Sequence, residues 1–345
     1  MGCARASPSP SQDRELPLVI RHARRLGGEL ITVVSENGVV TAVLGDDPGS
    51  SGLPSEATVV DAAGRWLVPG FIDSHVHTAY FPASAGLPAK GVVAAVDLGM
   101  PVRLMAQTIP NLALHVAGPL VTAPNGYPTH TSRHDDFGLA ISDPSQAAAI
   151  VDDLVAKGAK LVKLALVELN ETSARAVVNA AHERKLLVAA HALDDARAAL
   201  AARIGCDVLA HTPVEPLSAA TVEAWSGRIV ISTLVAFGAS SSAIANLSAL
   251  RAHDVKVLYG TDLGRTTHVG IDGNEVRAML AAGMTLPEVI VSATFTPAAI
   301  WHFEGYGVIA PAARASFFLT AEDPSVRVEA LTAPIRVFVD GKELH

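Results

Sequence analysis

An apolar run at residues 68–77 ends in two histidines that are separated by one residue. Successive side chains on a β-strand point to opposite faces, so His75 and His77 would project from the same face. Two imidazoles placed in this way can bind one divalent metal ion. A single His-x-His pair can also arise by chance, so its meaning depends on the rest of the chain.

Four more residues of types that bind metals or act beside them occur in or just after short apolar runs. They are Lys163, His191, His211 and Asp262. Any one of them could be a buried polar side chain satisfied by hydrogen bonds. Taken together with the first pair, they favour a shared metal centre over six separate structural explanations.

The elements that must position these residues alternate between strand and helix. Strands are predicted at 71–77, 92–97, 113–120, 161–165, 187–192, 208–212, 229–234 and 257–262, and helices at 144–157, 172–184, 193–204 and 240–253. Roughly eight such units over about 230 residues is typical of a (β/α)₈ barrel. The chain has no Gly-rich dinucleotide turn to favour an open doubly wound sheet. Reactive groups in a barrel lie at the C-terminal ends of its strands, where these six residues fall.

The two ends of the chain have a different pattern, with short β-rich runs and turns. Runs at 18–23, 30–34, 38–44 and 58–61 are matched near the C-terminus by runs at 316–320 and 335–342. We expect both ends to fold into one small β-sandwich. The predicted organisation is a disordered tail at 1–16, a composite sandwich from 17–66 and 308–345, and a barrel from 67–307.

Composition excludes several classes of partner. The 345 residues are 50% hydrophobic and carry a formal net charge of −8, which disfavours nucleic acid and anionic membranes as partners. No apolar run reaches the roughly 18 residues that span a bilayer. We therefore expect a cytoplasmic protein with a small-molecule substrate, while homo-oligomerisation stays open. Cys3, followed by a Ser/Pro-rich stretch, leaves a bacterial lipoprotein or exported protein anchored through that cysteine as an alternative.

Several motifs resemble those of the amidohydrolase superfamily over nearly the whole chain after the tail. The matching segments are LVPGFIDSHVH at 67–77, VKL at 162–164, AAHA at 189–192, LAHT at 209–212, YGTD at 259–262 and ATFTPA at 293–298. The Lys, His, His order is similar to the prolidase-like and imidazolonepropionase-like branch. The resemblance implies the barrel and sandwich described above.

The resemblance also implies a ligand set. His75, His77 and Asp262 would hold one ion, His191 and His211 a second, and a carboxylated Lys163 would bridge them. Nitrogen and oxygen donors favour Zn²⁺, and the resemblance to the prolidase-like members implies two ions per chain, with another divalent metal as the alternative. A single ion with Lys163 as a free amine is the alternative.

The implied reaction is hydrolysis of an amide bond in a dipeptide or an N-acyl amino acid. A divalent ion lowers the pKa of water to about 7, and Asp262 would act as general base and then as general acid. The same centre could act on a cyclic amide, a lactone or a phosphotriester. A non-catalytic binding scaffold of the same fold is less favoured, because no metal ligand is missing.

Substrate contacts are predicted on loops at the reactive face. Tyr127, His130 and Arg133 lie in the polar loop after the third strand, and Arg265 and His268 follow Asp262. The segments at 78–91 and 236–242 are short, which predicts an open pocket.

Overall fold

The computed structural model describes residues 16–49, 52–129 and 135–344. The strands are β1 Leu18–Arg25, β2 Leu30–Glu36, β3 Val39–Gly45, β4 Thr58–Asp61, β5 Trp66–Pro69, β6 Phe71–Val76, β7 Val92–Asp97, β8 Ala113–Val116, β9 Leu120–Thr122, β10 Gly138–Ala140, β11 Val162–Ala165, β12 Val188–His191, β13 Val208–Leu209, β14 Ile229–Ile231, β15 Lys256–Leu258, β16 Phe317–Thr320, β17 Arg336–Val339 and β18 Lys342–Glu343. The helices are α1 Ala147–Ala156, α2 Glu171–Glu183, α3 Asp195–Ile204, α4 Ala219–Ala224, α5 Ser241–Ala252, α6 Gly273–Ala281, α7 Leu286–Ser292, α8 Phe295–Trp301 and α9 Val328–Thr332.

The two ends of the chain form one eight-stranded sheet. Its order is β18-β17-β16-β5-β1-β2-β3, and β4 pairs with β1. The antiparallel pairing of β16 with β5 joins the C-terminal strands to the N-terminal ones. The sheet curves back on itself where the Val40 N–H donates to the Ala313 carbonyl at 2.7 Å. The prediction that both ends share one sandwich is confirmed, and side chains from both ends, such as Ile20 and Phe317, are buried in a single core.

The middle of the chain forms a parallel barrel, which confirms the predicted fold class. One sheet has the order β6-β7-β8 and the other β10-β9-β11-β12-β13-β14-β15. Backbone hydrogen bonds close the ring between β6 and the segment after β15. The Ser74 N–H donates to the Tyr259 carbonyl at 3.0 Å and the Asp262 N–H donates to the His75 carbonyl at 2.8 Å. Closure therefore brings the end of the first barrel strand against the end of the last.

The third barrel strand is interrupted. A single strand was predicted over 113–120, and this was wrong, because the structure has β8 and β9 with a break between them. Gly118 adopts a φ of 78°, which is a conformation that favours glycine, and Pro119 has no N–H for a ladder. Since β8 pairs with β7 and β9 pairs with β11, the break connects the two barrel sheets.

Side-chain N-caps fix the first residues of three barrel helices. Asn170, Asp194 and Ser240 each accept a hydrogen bond from a backbone N–H three residues ahead, at the starts of α2, α3 and α5. Each such cap contributes about 1 kcal/mol to helix stability. The caps therefore fix the point at which the chain turns from the reactive face into a helix.

The segment between β6 and β7 has two 3₁₀ turns, Pro82–Gly86 and Pro88–Lys90, where a barrel helix would otherwise lie. Within the described ranges, no single helix is long and apolar enough to cross a bilayer. Length and composition alone would allow it for one pair, Gly273–Ala281 with Leu286–Trp301, which is bent by 119°.

Gly70 joins the sandwich to the barrel at a point with no room for a side chain. A Cβ on Gly70 would lie 2.4 Å from one methyl carbon of Val93 and 2.6 Å from the other. We expect Gly70→Ala to lower the free energy of unfolding by roughly 1–3 kcal/mol, because a buried strand must shift. Chemical denaturation would measure the loss.

Gly45→Ala is the matched control, because a Cβ there would meet no atom within 4 Å. Its unfolding free energy should stay within about 0.5 kcal/mol of the wild type. Adding Val93→Ala should recover part of the stability lost in Gly70→Ala. Equal stability of the two single glycine variants would contradict the packing at this junction.

Candidate metal centre

Three side chains from the two ends of the closing barrel ring meet in a buried space. One ligand atom from each of His75, His77 and Asp262 lies within 4.8 Å of the other two. The Nε2 atoms of the two histidines are 3.3 Å apart. Oδ1 of Asp262 is 3.2 Å from Nε2 of His77 and 3.6 Å from Nε2 of His75. The first barrel strand and the turn after the last thus supply one cluster.

Hydrogen bonds on the far side of each ring indicate which nitrogen carries a lone pair. Nδ1 of His75 lies 2.8 Å from the carbonyl oxygen of Ala210, and Nδ1 of His77 lies 3.3 Å from that of Gly99. A carbonyl oxygen only accepts, so each Nδ1 is the donor. In the neutral imidazole each Nε2 then has its lone pair directed into the cluster, which is the usual tautomer of a metal-binding histidine.

The protonation equilibria of the cluster are set by burial and by mutual charge. Burial holds the pKa of His75 well below its ordinary value. Burial acts in the same direction on His77, but the Asp262 carboxylate outweighs it and raises the pKa of that imidazole. Burial alone would raise the pKa of Asp262, yet His75, His77 and Lys163 together hold it below its ordinary range.

The donor set fits a divalent cation. When both Nε2 atoms carry lone pairs, the buried Oδ1 of Asp262 meets no hydrogen-bond donor within the described part of the chain. Two imidazole lone pairs and one carboxylate oxygen are a common partial ligand set for zinc and other first-row divalent metals. His75, His77 and Asp262 could therefore hold one ion.

Asp262 is held in an unusual backbone conformation. Its φ is 54°, in the left-handed region, where a residue other than glycine pays on the order of 1–3 kcal/mol. Its carbonyl accepts hydrogen bonds from the N–H groups of Arg265, at 3.0 Å, and Thr266, at 2.9 Å. Together with its N–H bond to His75, these contacts determine where the carboxylate lies.

Lys163, His191 and His211 line the same cavity but do not belong to the three-residue cluster. His211 packs its ring 4.5 Å from that of His75 and 4.9 Å from that of His191, measured between centroids. Its Nδ1 lies 3.1 Å from the hydroxyl of Thr233. Burial lowers the pKa of His191 to about 3, so its imidazole is neutral at physiological pH.

Lys163 is a buried lysine on β11 whose amine can be charged or neutral. Its side chain is only 1% exposed. Burial lowers the pKa of its amine to about 7, and the Asp262 carboxylate opposes that shift. The neutral amine is therefore a substantial species near neutral pH.

Asp73 connects the two segments that carry the cluster, on the side away from the cavity. It is fully buried, and its Oδ1 accepts hydrogen bonds from the N–H groups of His75, at 3.0 Å, and Thr261, at 3.1 Å. Its Oδ2 accepts one from the Thr261 hydroxyl at 2.6 Å. These bonds tie β6 to the segment that ends in Asp262.

Asp97 fixes the turn that follows His77 by accepting hydrogen bonds. It accepts hydrogen bonds from the N–H and hydroxyl of Thr78, at 2.8 and 2.7 Å, and from the N–H of Gly99 at 3.0 Å. A Cβ on Gly99 would lie 2.8 Å from Cε1 of His77. Glycine is thus required where the backbone carbonyl approaches the imidazole.

A cavity of about 590 Å³ opens beside the cluster. Side chains of types that bind metals, such as His77 and Asp262, line its floor. Aromatic rings from Tyr80, Tyr127 and Phe237 line its wall. The volume is sufficient for a small organic substrate, and apolar walls with a few polar groups are typical of such sites.

Two of the predicted substrate contacts line the cavity and one does not. Tyr127 lines the cavity, stacks on His191 with ring centroids 5.1 Å apart, and donates its N–H to Glu168. Arg265 also lines the cavity. His268 is exposed and is not among the lining residues. His130 and Arg133 lie outside the described residues, as does Cys3.

Sequence reasoning missed two classes of residue at this site. Tyr80 and Phe237 form part of the cavity wall, and only their positions shortly after strand ends could have indicated it. Asp73 and Asp97 support the ligands from behind. Asp73 lies inside the histidine motif and Asp97 ends the next strand, so their strand positions were the available signal.

Comparison with known proteins gives a family match. The model of a family described as the amidohydrolase family matches residues 66–344. Comparison with curated proteins found no match.

Solved structures share the architecture at low sequence identity. A crystal structure of an amidohydrolase is 21% identical, with 95% of this chain and 98% of that chain covered and a TM-score of 0.79. A Xaa-Pro dipeptidase with bound methionine in the active site is 16% identical, with 95% and 100% covered and a TM-score of 0.78. Ochratoxinase from A. niger is 16% identical, with 96% of each chain covered and a TM-score of 0.76. At these identities the likeness shows the fold.

Proposed function

The chain belongs to the amidohydrolase family, and from this premise we propose that it is a metal-dependent hydrolase that cleaves the amide bond of a dipeptide or an N-acyl amino acid. The observation that carries the proposal is the convergence of Nε2 of His75, Nε2 of His77 and Oδ1 of Asp262 at one side of an open cavity. The Xaa-Pro dipeptidase with the same fold supports a peptide-like substrate.

His75, His77 and Asp262 would hold one zinc ion, and His191 and His211 would hold a second. When bound, such ions activate water for attack and polarise the carbonyl that is attacked. The chain's own contribution is to keep the imidazoles neutral and correctly oriented. Carbonyl oxygens of Ala210 and Gly99 do this for the first pair.

Lys163 would connect the two sites as a carbamate. Its neutral amine would attack carbon dioxide and lose one proton, which converts a neutral nitrogen base into an anionic oxygen donor. The side chain lies buried among groups that line the same cavity, where an ammonium ion would repel a metal. A carbamate is therefore the form that suits this position.

Asp262 would move the proton during the reaction. We assign it to accept a proton from the attacking water and then to donate that proton to the leaving nitrogen. Tyr127, whose ring is fixed against His191, would contact the substrate carbonyl or the body of the substrate through its phenol. Burial raises the pKa of that phenol, so it stays a hydrogen-bond donor.

We expect Asp262→Asn to retain much of its bound metal but to lose about 10²–10⁴-fold in kcat, because an amide cannot carry the proton. Activity would be measured on a panel of Xaa-Pro dipeptides and N-acyl amino acids, with lactones and phosphotriesters as rival substrates, beside metal analysis of the same samples. Asp254→Asn is the control, since Asp254 is exposed and has a similar φ of 60°. Undiminished turnover in Asp262→Asn would remove it as the proton carrier.

The carbamate has its own test. Protein loaded with zinc and ¹³C-bicarbonate should show one carbamate carbon by ¹³C NMR, and Lys163→Met should lose both that signal and part of its bound metal. Lys160→Met, at an exposed position on the same segment, should keep both. Two bound ions with no carbamate carbon in the wild type would contradict a bridging Lys163.

A further inference from the structure

The cavity lining carries few charged side chains besides its histidines. Among the described lining residues, the charged side chains outside the histidines are Lys163, Arg265 and Asp262. Lys163 and Asp262 are buried in the floor, whereas Arg265 is exposed to solvent. Arg265 is therefore the exposed cation among the described residues that line the cavity.

Arg265 is held in place by contacts other than an ion pair. Its Nε donates to the carbonyl of Ala236 at 2.8 Å, and its guanidinium carbon lies 4.4 Å from the centroid of the Phe237 ring. Within the described residues, no carboxylate pairs with this guanidinium. With respect to that part of the chain, the two terminal nitrogens remain available as a planar fork, which is the geometry that binds carboxylates.

The loop that holds Arg265 is itself fixed by a buried acid. Glu275 on α6 is fully buried, and its two carboxylate oxygens accept hydrogen bonds from the N–H groups of Leu234, at 2.9 Å, and Val235, at 2.8 Å. These donors begin the 3₁₀ turn Val235–Phe237. Ordering the guanidinium before a ligand arrives reduces the entropy lost on binding.

Arg265 is also tied to the reaction centre. Its backbone N–H donates to the carbonyl of Asp262 at 3.0 Å, so the guanidinium and the proposed proton carrier belong to one short turn. A group bound at the fork would lie in the same cavity as the Asp262 carboxylate, with the Phe237 ring beside it.

We propose that Arg265 binds a free carboxylate of the substrate and so selects N-acyl amino acids and dipeptides over neutral amides of the same shape. This inference rests on the proposed amide hydrolysis and names the substrate class of that site. Glu275 acts as a positioning residue, through Phe237 and Ala236.

The test compares each N-acyl amino acid with its C-terminal primary amide, using metal-loaded full-length protein. Arg265→Met should lower kcat/KM for the acid by roughly 10- to 100-fold, mainly through KM, because a charge-assisted hydrogen bond pair is removed. The neutral amide should change less than about threefold. Arg265→Lys should recover only part of the loss, since an ammonium lacks the fork.

Arg277→Met is the matched control, because Arg277 is an exposed arginine on α6 paired with Glu329, away from the cavity. It should leave both substrates unchanged. Equal losses on acid and amide in Arg265→Met would assign a structural role and overturn the proposal. Unchanged kinetics on both would show that Arg265 does not meet the substrate, with the same consequence.

A binding measurement separates this inference from the proposed function. Calorimetry with 3-phenylpropionate and 3-phenylpropanamide should show a preference for the acid that is lost in Arg265→Met and kept in Arg277→Met. That result with no hydrolysis of any amide would reject the proposed function and leave the carboxylate site standing. Amide hydrolysis with an acid preference that survives Arg265→Met would reject only the carboxylate site.

Discussion

The structure depends on one constraint at the closure of the barrel. Nε2 of His75, Nε2 of His77 and Oδ1 of Asp262 meet with their electron pairs directed at one another in a buried space. A positive charge must balance this arrangement, because removing a carboxylate from water costs several kcal/mol. The fold nevertheless holds all three in place, and the same backbone bonds that close the ring also aim them.

Behind the ligands and the cavity wall stand three buried carboxylates that bind backbone N–H groups. Asp73 connects the first and last barrel strands, Asp97 fixes the turn after His77, and Glu275 fixes the loop after β14. Burial raises the pKa of Asp73 and of Glu275 to about 7. Hydrogen bonds to two or more donors offset part of the cost of burying each group. The loops that shape this site are therefore short and are fixed by buried hydrogen bonds.

The fold and the candidate metal ligands could be predicted from sequence because both depend on the regular spacing of residues along strands. A strand period of two puts His75 and His77 on one face, and strand ends in a barrel share one side. The break at Gly118 and Pro119 was missed although Gly-Pro marks a turn, since the surrounding apolar residues resemble one strand. The contact of Arg265 with Phe237, and the support from Glu275, depend on tertiary packing between distant segments, and no local pattern indicates them.

The most direct test of this account is to titrate metal-free protein with zinc while following hydrolysis of an N-acyl amino acid. We expect no turnover without metal and a rise to a plateau as ions bind. The zinc requirement should be more than about 100-fold higher in His77→Asn, which loses a ligand. His22→Asn, in a sandwich strand and paired with Asp61, should behave as the wild type. Full turnover in the chelated protein, or the same zinc requirement in both histidine variants, would contradict it.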